Sequence, residues 1–182
     1  IIFESEVKIK NQGTSRIIDI GNPTSRRITS QDTVAIGYEA LPGTQSVGVG
    51  TRAAHRGQER SIYIGYDAGY NLPQAGARNM VGIGYQAGYT SQGSSAFALG
   101  DKAGYMNQGR FGVAIGNESG KEGQNVSAMS IGYQAGQSGQ GISAIAFGTA
   151  AGQNFQNVQS TAIGVNAGRS GQGSYSLSVG RS

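Results

Sequence analysis

A glycine preceded by a large apolar residue returns at Gly37, Gly50, Gly65, Gly84, Gly100, Gly116, Gly132, Gly148, Gly164 and Gly180, with spacings of 13, 15 and 19 and then 16 six times. Such a period restricts the chain to a stack of similar units, each burying its faces against its neighbours. Counting that glycine as position one, position five is glycine in all six regular units, at Gly88, Gly104, Gly120, Gly136, Gly152 and Gly168. Position nine is glutamine in all six, at Gln92, Gln108, Gln124, Gln140, Gln156 and Gln172, and position four is Ala or Ser. The unit closes on an alternation, small at thirteen and fifteen and mostly large and apolar at fourteen and sixteen, as in Phe97/Leu99, Val113/Ile115, Met129/Ile131 and Ile145/Phe147.

Sixteen residues cannot hold two helices, and no stretch shows apolar residues at helical spacing, so the unit is a coil of β-structure. The reading is an all-β fold, a parallel β-roll or β-solenoid of about ten 16-residue coils from Gly21 to Gly180. Each coil is expected to carry one strand at positions twelve to sixteen and a second short strand at two to six, giving two parallel sheets. Residues 1–20 read as a non-repetitive lead-in or cap with short strands, in which Val7-Lys8-Ile9-Lys10 alternates like an edge strand whose lysines discourage stray pairing. Residues 21–182 read as the repeat domain, with irregular coils over 21–83 and regular coils over 84–180. The chain stops on a closing strand in register, Leu177-Ser178-Val179-Gly180, so a continuation past Ser182 is expected.

The composition makes such a roll thin. Glycine supplies 32 of 182 residues and charged residues 13%, against usual shares of about 7% and 25%. A coil with two large apolar residues buries little alone, if these point inward and the row of Ala, Ser and Gly points out. The exposed small-residue row then implies close approach of other copies, and the expected assembly is an intertwined or side-by-side homotrimer.

The closing A-x-A-[IVL]-G with a downstream [AS]-G resembles the head repeats of trimeric autotransporter adhesins, which form a left-handed parallel β-roll trimer. The I-G-Y-Q-A-G sequences at Ile83–Gly88 and Ile131–Gly136 are similar to repeats in fibre and surface proteins of phages and large DNA viruses. The adhesin repeat is usually nearer 14 residues, which favours the viral resemblance. The resemblance implies a homotrimeric, extracellular fibre or head segment.

Little in the sequence points to catalysis. The lone histidine, His55, has no second His or Cys to complete a metal site, and the absence of cysteine excludes disulfides and thiolate ligands. Glycine fingerprints at Gly48–Ala53 and Gly82–Ala87 lack the helix that a dinucleotide site requires and read as repeat punctuation. Glu118 and Glu122 are the only close acidic pair in the regular region. Calcium-coil aspartates and regular threonine arrays are absent, so no cofactor or metal is expected. Asn117-Glu118-Ser119 and Asn125-Val126-Ser127 match the glycosylation pattern, which matters only in a eukaryotic secretory route.

Recognition is open to two columns. Tyr recurs at position two and position six, so Tyr70, Tyr89 and Tyr105 form a ladder that either stacks on itself or, with Arg52, Arg56 and Arg60, contacts glycans or a receptor. The glutamines are expected to hydrogen-bond to one another along the stack. The structural repeat residues are then Gly84, Gly88, Gln92, Gly100, Gly104, Gln108, Gly132, Gly136 and Gln140. Together these readings give a non-enzymatic fibre or head segment on a virion surface that mediates host attachment. The alternatives are the head of a bacterial adhesin and a polysaccharide-degrading spike with an inter-subunit site. Expected partners are other copies of the chain and host surface glycans or receptor proteins; nucleic acid and direct membrane contact are not expected.

Overall fold

The computed structural model describes residues 7–12, 15–21, 31–55, 58–71 and 76–181. All regular structure among them is strand. β1 (Val7–Gln12) and β2 (Ser15–Ile20) pair antiparallel, and β2 opens a run of parallel strands. These are β3 (Thr33–Ile36), β4 (Val47–Val49), β5 (Ile62–Ile64), β6 (Val81–Ile83), β7 (Phe97–Leu99), β8 (Val113–Ile115), β9 (Met129–Ile131), β10 (Ile145–Phe147), β11 (Thr161–Ile163) and β12 (Leu177–Val179). The twelve strands form one sheet in sequence order. The chain therefore advances one strand per turn, and β3 to β12 make nine turns of the expected solenoid. Ile18 and Ile20 pair with Val34 and Ile36, so the opening coil keeps the register although its loop has lost the repeat motif; residues 22–30 of that loop lie outside the described residues.

The second sheet is reduced to a column of single bridges. Positions one to five form a turn, and position seven pairs with its counterparts, as in Thr90 with Met106, Met106 with Glu122 and Glu122 with Ser138, with one further bridge between Glu59 and Arg78. The reason lies in the backbone. Among the described residues position three is left-handed in the coils from Gly37 to Gly164, for example at Gln86, Lys102 and Glu118, and so is the glycine at five of the regular coils, so no extended run fits at two to six.

The facing of the strand is the reverse of the expectation. The small residues at thirteen and fifteen point inward and are buried, whereas the large residues at fourteen and sixteen point out, Phe147 being 52% exposed. Space decides this. A Cβ on Gly120 would lie 3.2 Å from Ala114 Cβ, and one on Gly152 would lie 3.3 Å from Ala146 Cβ, so the two limbs of a coil are separated by one methyl layer. At the inward strand positions of these regular coils nothing larger fits between them. The core is accordingly alanine, in clusters such as Ala87, Ala98, Ala103 and Ala114, and Ala135, Ala146, Ala151, Ala162 and Ala167.

Backbone hydrogen bonds between coils replace the missing thick core. Around the Gly100 coil, Gly100 N donates to Ile83 O at 2.8 Å, Lys102 N to Tyr85 O at 2.9 Å, Gly104 N to Ser119 O at 3.0 Å, Met106 N to Lys121 O at 2.8 Å and Phe111 N to Ser94 O at 3.1 Å. Each coil is thus tied to its neighbours around its whole contour. Close stacking explains the glycine at position one, since a Cβ on Gly132 would meet Gly148 O at 2.6 Å.

Candidate functional site

Three columns of side chains distinguish this solenoid: the buried glutamines, an aromatic and polar ladder at positions two, three and six, and the outward apolar stripe. The glutamines do not mainly bond to one another. Each turns into the coil and its Nε2 donates to two main-chain carbonyls, Gln108 to Phe97 O at 2.9 Å and Gly112 O at 3.2 Å, Gln140 to Met129 O at 2.7 Å and Ala144 O at 3.1 Å. Among the described residues, hydrogen bonds between glutamines of this column are confined to Gln124 with Gln140 at 3.2 Å and Gln140 with Gln156 at 3.3 Å. The reason is again width, because an amide is the one long group that fills a slot lined by carbonyls and methyls while satisfying the carbonyls. The invariant glycine at five is its counterpart: a Cβ on Gly120 would come within 2.9 Å of Gln124 Oε1. Gly84, Gly88, Gln92, Gly100, Gly104, Gln108, Gly132, Gly136 and Gln140 therefore form the repeat framework, with a division of labour the sequence did not reveal.

The tyrosines stack along the solenoid. Tyr70 and Tyr89 have ring centroids 5.6 Å apart, Tyr89 and Tyr105 5.0 Å, and Tyr66 and Tyr85 5.6 Å, all near parallel. His55 continues the column, 4.8 Å from Tyr70. Arg52 lies over both Tyr66 and Tyr70 at 5.1 and 4.9 Å, and its Nη2 donates to Tyr66 Oη at 2.6 Å and Asp67 Oδ2 at 2.8 Å. Desolvation opposes the Arg52 charge, but Asp67, Tyr66 and Tyr70 together outweigh it and raise the guanidinium's pKa. Burial also pushes the Tyr89 hydroxyl up, with Asp67 adding to the effect.

This geometry brings together Tyr70, Tyr89, Tyr105 and Arg52 and leaves Arg60 out, exposed on the turn before β5; Arg56 lies outside the described residues. Within the ladder the ring faces that a sugar would need are covered by neighbouring rings. Arg52 is neutralised by Asp67. The array staples coils together.

Past Tyr105 the ladder becomes polar. Lys121 Nζ donates to Glu118 Oε1 at 2.9 Å, and Gln134 and Gln137 donate to Glu118 Oε2 at 3.0 and 2.7 Å. Gln153 donates to Gln134 Oε1 at 2.9 Å and accepts from Arg169 Nε at 2.9 Å. Lys121 foremost, then Gln134, hold the Glu118 carboxyl below its ordinary range. A carboxylate engaged by three donors is poorly suited to serve as a general acid. In the sequon at Asn125 the amide nitrogen donates to Gln140 O at 2.9 Å.

The apolar stripe was not foreseen as an outward feature. It runs through the outward positions of the strands from β2 to β12, from Ile18 and Ile20 to Leu177 and Val179, broken by a polar side chain only at Thr161 on β11. Alternation in the sequence gave the two faces, but not which of them the coil could enclose. Two outward side chains per rung, large everywhere except at Thr161 and each left partly exposed over eleven rungs, present on the order of 1,000 Å². Among the described residues, no group of three or more His, Cys, Asp or Glu is arranged to hold a metal ion, and no helix is long and apolar enough to cross a membrane. The chain matches no family model, no curated protein and no solved structure.

Proposed function

We propose that this chain is a structural fibre or head segment that assembles as a homotrimer and displays a stiff rod on a virion or bacterial surface, where it contributes to host attachment. The observation that carries the reading is the apolar stripe, polar only at Thr161. Its area exceeds the ~300–600 Å² patch of a typical monomer and reaches the ~800 Å² per partner of a standard interface. A stripe that follows the solenoid rung by rung in register suits a few copies packed side by side with parallel axes. Rungs spaced by about 4.8 Å make a rod of roughly 50 Å.

A polysaccharide-degrading role receives no support from the polar ladder, where Glu118 is held charged and bonded. The assembly reading is tested by light scattering on the 18.7 kDa chain. Three times that mass is expected, and a monomer at micromolar concentration overturns the reading. Incubation with surface polysaccharide is expected to yield no new reducing ends.

A further inference from the structure

Tyr70, Tyr89 and Tyr105 stand in one column at position six, past the turn from the apolar stripe, and Tyr66 and Tyr85 stand in a second column at position two. The closest rings are Tyr89 and Tyr105, with centroids 5.0 Å apart and planes 10° from parallel; Tyr70 and Tyr89 follow at 5.6 Å and 18°. All three residues of the position-six column are half-buried, so it is partly open to solvent. A cation lies over each of the other stacked rings, Arg52 over Tyr66 and Tyr70 at 5.1 and 4.9 Å and Lys102 over Tyr85 at 5.8 Å. Among the described residues none lies over Tyr89 or Tyr105. A positive charge on a ring face opposes removal of an electron from that ring, so Tyr89 and Tyr105 are the stacked pair most open to oxidation. Tyr133 and Tyr175 are more exposed, at 52% and 78%, but the coils beside them carry Asn117 and Thr149, and Gln159, at the same positions.

We propose that this column is a site of oxidative cross-linking, at which a haem peroxidase with hydrogen peroxide joins Tyr89 to Tyr105 as dityrosine. Each phenol gives up one electron and its hydroxyl proton to the haem, which the peroxide has oxidised by two electrons. The unpaired electron of each phenoxyl radical is shared with the ring carbons next to the one bearing oxygen. One such carbon of each ring forms the new C–C bond, and the hydrogens of the joined carbons move as protons to the two oxygens, restoring both phenols. The sum is two phenols and one hydrogen peroxide giving one dityrosine and two waters. Stacking holds the reacting rings together, so coupling inside the pair outruns coupling between chains. The bond ties two neighbouring coils covalently, across 16 residues of chain, where hydrogen bonds and stacking tie them now.

The link lies within one chain, so its test does not depend on whether copies assemble. The unsubstituted chain is treated with peroxidase and hydrogen peroxide at micromolar concentration, once folded and once in urea. From the folded protein, dityrosine fluorescence is expected in the band of a single chain on a denaturing gel, with Tyr89 joined to Tyr105 as the leading intrachain link in peptide mass spectra. In urea that link is expected to fall several-fold, because nothing then holds the rings together. Tyr133→Phe is expected to leave the single-chain fluorescence unchanged. Links only between chains, hydroxylated tyrosine without any link, equal yields of the Tyr89–Tyr105 link folded and unfolded, or Tyr66 joined to Tyr85 as the leading link would each overturn the proposal.

Discussion

The Tyr63 hydroxyl donates to Gln92 Oε1 at 2.9 Å, joining two residues 29 apart in the chain and both closed off from solvent. Tyr63 stands at position fifteen of β5, where all the other strands from β3 to β12 carry Ala, Gly or Ser. The coil after it is the one of 19 residues, and there the sequence has Pro73 eight residues past Gly65 in place of glutamine. The ring fills interior space that an amide fills elsewhere. Gly82 makes this possible, since a Cβ there would lie 2.6 Å from Tyr63 Cδ1. Burial also drives the phenol's pKa strongly up, keeping it a donor at any ordinary pH.

Tyr63→Phe is therefore expected to strand Gln92 Oε1 and lower stability by about 1–3 kcal/mol. Tyr63→Ala, which also leaves a cavity, is expected to cost about 3–5 kcal/mol. Denaturant midpoints measure both. A Tyr63→Phe midpoint equal to that of the unsubstituted chain would show that the bond contributes nothing.

Gly136 and Gly123 separate two reasons for glycine. Both have positive φ, +50° and +68°, but a Cβ on Gly136 would press first on Ser130 Oγ and meet Gln140 Oε1 at 2.9 Å, whereas one on Gly123 would find nothing nearer than 3.8 Å. Gly123→Ala is expected to cost only the left-handed penalty of about 1–2 kcal/mol. Gly136→Ala is expected to cost clearly more, because the Ser130 hydroxyl and the Gln140 amide it bonds to must both move, the amide releasing the Met129 and Ala144 carbonyls. Equal losses in thermal unfolding would refute the coupling of positions five and nine.

The period, the strand at each closing motif, the parallel stack and the framework residues were legible in the sequence, because backbone requirements recur at fixed positions. Gly88, Gly104 and Gly120 announce left-handed turns, and Ala146 flanked by Ile145 and Phe147 announces a two-faced strand. Facing was not legible. Hydrophobicity alone sends Phe147 inward, and what overrides it is the distance between limbs, fixed by contacts such as Gly152 against Ala146 that no local pattern encodes. The second strand failed for a related reason. Gln86, Lys102 and Glu118 occupy left-handed positions without being glycine, so nothing in their identity betrays the turn. Tyr63 was legible only as an oversized residue in a small-residue column.

The polar ladder fixes a pH window. Glu118 has its folded pKa lowered by Lys121 first and Gln134 second, so its contribution is present above its unfolded value of about 4.3 and is lost as pH falls through the lower folded value. Lys121 has its folded pKa raised by Glu118, so its contribution is present below its unfolded value of about 10.4 and is lost as pH rises through the higher folded value. Melting temperature recorded against pH is expected to fall less steeply at both ends in Glu118→Gln than in the unsubstituted chain. Superimposable profiles would remove Glu118 from the account.

The inverted strand gives the sharpest test, because adjacent faces should fail differently. Ile131 points outward on β9, and aspartate there is solvated in a single coil but would be buried without a partner wherever copies meet. Ile131→Asp is expected to keep the β-type circular dichroism of the parent while the mass from light scattering falls to that of one chain. Ala146 is fully buried on β10, one methyl layer from the opposite limb, and has no room for three more carbons. Ala146→Leu should force the limbs apart and break the hydrogen bonds that tie its coil to both neighbours, at a cost of about 1–3 kcal/mol or more. The signature is loss of β-structure or protection in amide exchange around residues 129–163, at any protein concentration. Should Ala146→Leu fold normally while Ile131→Asp unfolds the chain, the large residues would be the ones inside, and the stripe that carries the assembly would not exist.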